Sequence, residues 1–424
     1  MQAVGLAISL TENDVTPAIF ESQSLFKDRN FRSAWSAGIL INFVRWLEFL
    51  ALGIYAFDVT GSAFLTALLA LARFLPLALF GVIIGSLADQ FDTGKLLRIG
   101  IALTGAVALL MTALFAFDLV VYWHVAVAAF LSGTFWASDF PLRRKLIGEI
   151  AGPERLGRAM AIDTATANGS RLFGPLVGGF IYQLVGGMGV FLIGAVLYGL
   201  SYLIVLNLHS AHVRAVQATG TWISRPFRDA WQAFKFAAGN REVMALLGVT
   251  IVFNIWGFPM LSMVPVIGKD ELGISASSIG VVSALEGAAA FTSAIIIARV
   301  VKPANYRRLY YFSVWAVLLN VFLMGMLPGV VTLVLGLIGA GLAGAGFATM
   351  QSTLIYMLAP AEMRGRMLGV ITICIGSGLI GFANIGYMAD RFGASNALWM
   401  IGLEGVIPMI IISLGWPQLR QRQT

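Results

Sequence analysis

Residues Gly169–Gly179 read GSRLFGPLVGG: an arginine, a proline and four glycines inside a run apolar enough to span a bilayer. Thr166, Ser170, Gly174 and Gly178 recur every four residues, so one face of a helix here carries almost no side chains. Such faces let helices approach closely in lipid, where packing replaces the hydrophobic drive. Pro175 removes a backbone hydrogen bond and is expected to kink the helix between two rigid segments. The stretch reads as the middle of a membrane helix built for close contact.

The rest of the chain agrees. Its 424 residues are 58% hydrophobic and 12% charged, about half the charge of an ordinary soluble protein. A membrane helix needs about 20 mostly apolar residues. Twelve such spans can be drawn, at 33–57, 62–85, 96–117, 121–142, 158–183, 187–208, 242–267, 275–299, 309–327, 330–356, 367–389 and 395–416. The apolar run AVGLAISL near the start is too short for a secretory signal, so 1–32 is read as a cytosolic tail. With that tail inside, 23 of the 28 Lys and Arg fall on the cytosolic side, and only Lys269 and Arg391 outside. Arg45, Arg73 and Arg171 are left within the membrane. This asymmetry is the positive-inside rule, so the net charge of +7 reports topology and not nucleic acid. Both termini, including 417–424, are expected in the cytosol.

Cys374 lies alone in an apolar span, and His124, His209 and His212 form no CxxC or HExxH spacing. No metal or other cofactor is expected. No nucleotide-binding GxxxxGK[ST] loop appears, so energy must come from an ion gradient or from the substrate's own. No His/Glu or Ser–His constellation suggests an enzyme.

The longest polar interruption, 209–240, holds Trp222, Phe227, Trp231, Phe234 and Phe236 mixed with Arg225, Arg228 and Lys235. That mixture suits an amphipathic helix on the cytosolic membrane surface. It separates a six-span half at 33–208 from another at 241–416. PERLGRAM (153–160) and AEMRGRML (361–368) align Glu154 with Glu362, Gly157 with Gly365 and Arg158 with Arg366, as a parallel repeat would. The expected fold is an all-α membrane protein of twelve transmembrane helices in two six-helix halves.

GSLADQFDTGKLLR (85–98) resembles the signature loop of the major facilitator superfamily, G-x-L-A-D-R-x-G-R-K. Gly85, Leu87, Ala88, Asp89 and Lys95 match; Gln90, Thr93 and Gly94 depart from it. The resemblance implies a cytosolic latch between the halves, with Asp89 near a helix start and Lys95 and Arg98 in place of the missing cation. GYMADRFG (386–393) fits the same template at the external end of span 11. It is read as a helix terminus followed by a turn, with no latch role. Gly174, Pro175, Gly178 and Gly179 match the superfamily's G-x-x-x-G-P-x-x-G-G pattern, with Ser170 at the first glycine. By resemblance, that pattern marks exporters that run as antiporters. DVTGSAF (58–64), LARFLPLALFGVIIGSLAD (71–89) and PAEMRGRMLGV (360–370) resemble the branch of enterobactin-type siderophore exporters and macrolide efflux proteins.

Membership implies that spans 5 and 8 face each other across the halves, with Gly280, Ala284 and Ala288 complementing the span-5 stripe. Arg171 and Glu286, both near mid-depth, are then expected to pair. In span 1, Glu48 lies one turn from Arg45 and is the first candidate proton carrier, with Glu286 beside Arg171 the second. Desolvation favours a neutral acid and a cation favours the charged one, so a carboxylate between them responds to its surroundings. Glu404, alone in span 12, is read as structural or lipid-facing. Spans 1, 4, 7 and 10 should line the cavity with Trp46, Phe49, Phe135, Trp136, Asn254, Trp256, Met260, Met350 and Gln351. The sequence therefore points to a monomeric proton antiporter of the bacterial inner membrane that exports a small amphipathic molecule. An uptake carrier, a lysolipid flippase and a non-transporting scaffold or sensor are the competing readings.

Overall fold

Backbone polar groups in lipid have no water to bond, so a membrane chain closes its hydrogen bonds inside helices. The computed structural model describes residues 25–90, 92–206, 208, 224–360 and 363–420, and among these every regular element is helical. The first five helices are α1 (Arg29–Thr60), α2 (Ala63–Gln90), α3 (Thr93–Ala116), α4 (Tyr122–Gly152) and α5 (Glu154–Val205). A short α6 (Ser224–Gly239) follows, then α7 (Arg241–Glu271), α8 (Ala276–Val300), α9 (Pro303–Met326), α10 (Val330–Leu358), α11 (Arg366–Phe392) and α12 (Ala394–Gly415). All but α6, eleven in number, are long and apolar enough to cross a membrane.

Side-chain caps set where several helices begin. Asp28 accepts from the Asn30 amide at 2.8 Å, Asp92 from Lys95 at 2.9 Å, and Asn240 from Glu242 at 3.0 Å. Each satisfies a donor that the first turn leaves free. At 52 residues, α5 would be about 78 Å long if straight. Gly186 interrupts it, with φ 67° and ψ −158°, a conformation glycine adopts without steric cost. At Pro175 the backbone φ and ψ stay helical, and the departures from helical φ and ψ along α4 and α5 fall at Gly152 and Gly186. In α7 the regular helix gives way to a π turn at Phe253–Gly257 and a 3₁₀ stretch at Phe258–Met263, where Pro259 has no N–H to donate.

Buried side chains of α1–α5 form one apolar cluster, and those of α6–α12 another. Leu50, Ile54 and Ala67 of the first group meet Met260, Ile279 and Ile401 of the second. Glycines permit the closest crossings, although the small stripe is not where expected. Gly174 and Gly178 lie against Trp46 and Leu47 of α1, whereas Gly179, one residue further round, meets Gly280 of α8. Ala233 and Ala237 seat α6 on the second cluster, and Arg366 donates to Gln232 at 2.7 Å. Trp231 on α6 is 70% exposed, in keeping with the amphipathic expectation. Trp222 and the Phe227 side chain lie outside the described residues, as do Glu362 and the tail before Leu25.

Candidate functional site

Several spans carry charges into apolar surroundings, and the fold pairs them. On α1, Asn42, Arg45 and Glu48 share one helix face, and all three are buried. The expected Arg45–Glu48 pair does not form. Glu48 instead accepts from Arg73 of α2 at 3.3 Å and from Ser132 of α4 at 3.1 Å. Arg45 donates to Asn42 at 2.6 Å and to Asp139 of α4 at 2.8 Å, and its guanidinium lies 4.9 Å from the Trp136 ring centroid. Arg73 also donates to the Arg45 carbonyl at 3.0 Å. The pairing differs because groups on α2 and α4 reach each α1 side chain from across the interface, where its neighbour one turn away does not.

The chain of charges continues through residues that sequence reasoning missed. Asp139 accepts from Arg143 at 3.2 Å, one turn along α4; Arg143 also pairs with Asp163 of α5, and Arg144 lies 3.6 Å from Asp163. Asp139 and Arg143 are 0% and 1% exposed. Arg143 falls just past the span drawn at 121–142 and is counted there on the cytosolic side. In fact α4 runs through to Gly152, and the i, i+4 spacing of Asp139 and Arg143 was the available signal. Buried ions of this kind need partners, since an isolated charge in the interior is strongly disfavoured. The result is an alternating series from Arg73–Glu48 through Arg45–Asp139 to Arg143–Asp163.

A second pair joins the two clusters: Arg171 of α5 bonds Glu286 of α8, as expected. The Arg171 guanidinium lies 4.9 Å from the Trp46 ring centroid, and Trp46 is in edge contact with both Phe49 and Trp136. Phe74 sits at the centre of an unanticipated aromatic group, meeting Phe49 and Trp136 on one side and Phe258 and Phe382 on the other. Just beyond it is a small cavity bordered by Gly53, Thr66, Arg73, Ser262 and Pro265. Arg73 Nε has no hydrogen-bond partner.

Other expected cavity residues are turned elsewhere. Phe135 packs on Gly100 of α3 and the Tyr198 ring of α5 inside the first cluster. Trp256 faces α12 and donates to Glu404 at 3.3 Å, and Asn384 donates to the same oxygen at 2.7 Å. Glu404 is therefore held by polar partners and is not lipid-facing. Met260 is buried in the joining core. Gln351 donates to Thr250 at 3.2 Å and ties α10 to α7, while Asn254 donates to the Thr250 carbonyl at 2.8 Å within α7. Met350 is likewise buried.

Gly85, Leu87 and Asp89 lie in α2, with their side chains outside the described residues. Lys95 is in the first turn of α3. Arg98 donates to the Leu206 and Leu208 carbonyls at 3.0 and 3.3 Å, closing the end of α5 and not bridging the two clusters. GYMADRFG does end α11 at Phe392 with a turn at Gly393. Yet its Asp390 also reaches the start of α2.

A membrane bundle with paired ions enclosed at its centre and broken helices beside them has the construction of a secondary transporter. Its family follows from comparison: the model of the Major Facilitator Superfamily matches residues 34–383, and the chain belongs to that superfamily. It is a multi-pass membrane protein and a transporter, not an enzyme. The Staphyloferrin A transporter of Staphylococcus aureus is 21% identical over 88% of this chain and 92% of its own. Macrolide efflux protein A of Streptococcus pyogenes is 23% identical over 88% and 91%. Among solved structures, a D-xylose-proton symporter superposes with a TM-score of 0.69 at 14% identity, covering 92% of this chain and 97% of that one.

Proposed function

We propose that this chain is a proton antiporter that exports a small amphipathic molecule, siderophore- or drug-like, across the bacterial inner membrane. Counting the two arms of α5 separately gives twelve spans, divided six and six by the α6 linker, with both termini in the cytosol and the protein acting as a monomer. The halves rock about the central aromatic and ionic groups. The observation that carries the reading is Glu48, a carboxylate 2% exposed with one arginine and one hydroxyl as its partners.

A proton on Glu48 releases Arg73 from its ion pair. A substrate lying on Trp46, Phe49 and Trp136 touches α1, which carries Glu48, and α4, which supplies its Ser132 partner. Moving those helices changes which partners the carboxylate meets, and so whether it holds the proton. The efflux named for the macrolide relative and the span-5 glycine pattern support the outward direction.

The test uses energised everted vesicles with a pH-sensitive dye, adding a siderophore, a macrolide, a lipophilic cation and a lysolipid in turn. Proton antiport predicts that at least one compound dissipates the gradient with wild type but not with Glu48→Gln. Dissipation that survives in Glu48→Gln would contradict the role of this carboxylate, and silence for every compound would contradict antiport of this substrate class.

A further inference from the structure

We propose that Gln183 and Asp390 form a duplicated latch that holds the outer ends of the two halves together, and are positioning residues for transport. The proposal rests on the orientation and twelve-span reading above. It begins with the first backbone N–H groups of a helix, which have no partner within it. In α8, Ser275 is the cap and its hydroxyl accepts from the Ser278 amide at 3.2 Å. The Ser277 amide between them donates to Gln183 Oε1 at 2.9 Å, a side chain from α5 of the other half. In α2, Ser62 has the capping place and its hydroxyl accepts from the Leu65 amide at 3.1 Å. The intervening Phe64 amide donates to Asp390 Oδ1, also at 2.9 Å, from α11 of the other half. Each helix start therefore leaves the equivalent amide to its opposite half.

The surroundings repeat as well. Residues 179–186 read GFIYQLVG and 386–393 read GYMADRFG, so both carry G-x-x-x-[Q/D]-x-x-G. An offset of 207 takes Gly179 to Gly386, Gln183 to Asp390 and Gly186 to Gly393. The first glycine of each brings the helices close. A Cβ on Gly179 would lie 2.5 Å from the Ala276 carbonyl oxygen, and one on Gly386 would lie 2.7 Å from Ala67 Cβ. The last glycine of each ends the helix at positive φ, 67° at Gly186 and 87° at Gly393. The stretch that resembles a signature loop thus has a counterpart at the end of the first arm of α5, and both act at the same face of the molecule. Between them, Lys269 of α7 pairs with Asp58 of α1 at 3.1 Å.

Water can satisfy both amides once the halves separate, so the latch is reversible. The two copies differ in charge. Asp390 places an anion at the positive end of α2, whereas Gln183 offers only a neutral oxygen to α8. Asp390 is therefore the stronger catch, and Gln183→Glu should strengthen the weaker one.

The experiment measures the distance between spin labels at Leu119→Cys and Leu327→Cys, exposed positions in connections of opposite halves, with Cys374 replaced by alanine. The full-length protein is held in lipid nanodiscs without substrate or pH gradient. Gln183→Ala and Asp390→Ala should each raise the outer-open fraction about fivefold, the scale of a lost cap, and the double variant further. Gln183→Glu should lower it. Distances unchanged in the single alanine variants, or a lowered unfolding temperature without any change in distance, would overturn the proposal. If the double variant fails to fold, the single variants and Gln183→Glu still decide it. Because no transported compound is involved, an unmoved latch leaves the antiport reading standing, while silent vesicles with shifted distances reject antiport and keep the latch.

Discussion

Glu48 differs from the buried aspartates in what holds it. Asp139 and Asp163 each face two arginines, while Glu48 has Arg73 and the Ser132 hydroxyl. Adding a proton to Glu48 therefore weakens fewer charge-assisted bonds than adding one to Asp139 or Asp163; Glu286, held by Arg171, shares this property. Asp139→Asn leaves Arg45 and Arg143 short of countercharge in the interior, a loss of about 3–5 kcal/mol for a broken buried pair. Thermal unfolding in detergent should show a larger drop for Asp139→Asn than for Glu48→Gln. Equal stabilities would contradict this ranking. Arg45 and Glu48 were legible in the sequence because charges inside an apolar span need a reason to be there. Their partners were not, since helix spacing identifies neighbours on one helix and says little about what crosses from the next. Arg143 escaped notice because span 4 was ended at residue 142, whereas the helix runs on to Gly152.

At the scale of helices, the α5–α8 crossing combines close backbone contact with the ion pair that spans it. A Cβ on Gly280 would lie 2.7 Å from the Pro175 carbonyl oxygen, so Gly280→Val should hold the two helices apart. Transport should fall sharply while helix content by circular dichroism is retained; normal transport in this variant would show that the close approach is dispensable. Arg171 and Glu286 should also be coupled in stability. A double-mutant cycle should give a non-additive term of about 0.5–3 kcal/mol, the range for contacting residues, and additivity would contradict the pairing. The small stripe in GSRLFGPLVGG was readable as a packing device. Its partner was not, because two glycine faces lie side by side on the same helix, one for α1 and one for α8. Pro175 was readable as a missing backbone donor, but the break in helical φ and ψ along α5 falls elsewhere. It falls at Gly186, where no Cβ restricts the backbone.

For the molecule as a whole, the hydrophobic spans and the amphipathic linker were visible in the sequence because lipid imposes length and composition directly. Cavity chemistry was far less so. Trp46 and Trp136 meet at the centre, whereas Phe135, Trp256 and Met260, equally apolar in sequence, turn into helix packing. Aromatic and sulfur-bearing residues serve both purposes, and only the rotation of each helix separates them. What the assembled bundle adds is an order: a chain of ion pairs on the α1–α5 side, an aromatic group at the centre, and paired helix caps at one end. We propose a mechanism in which these act as proton site, substrate surface and gate. Its central claim is tested most directly by proton release on binding. Purified protein in weak buffer would be mixed with whichever panel compound dissipates the vesicle gradient, while a pH indicator is followed. Wild type should release protons as the compound binds, and Glu48→Gln should bind it without release. Equal release from both proteins would contradict the claim that Glu48 carries the exchanged proton.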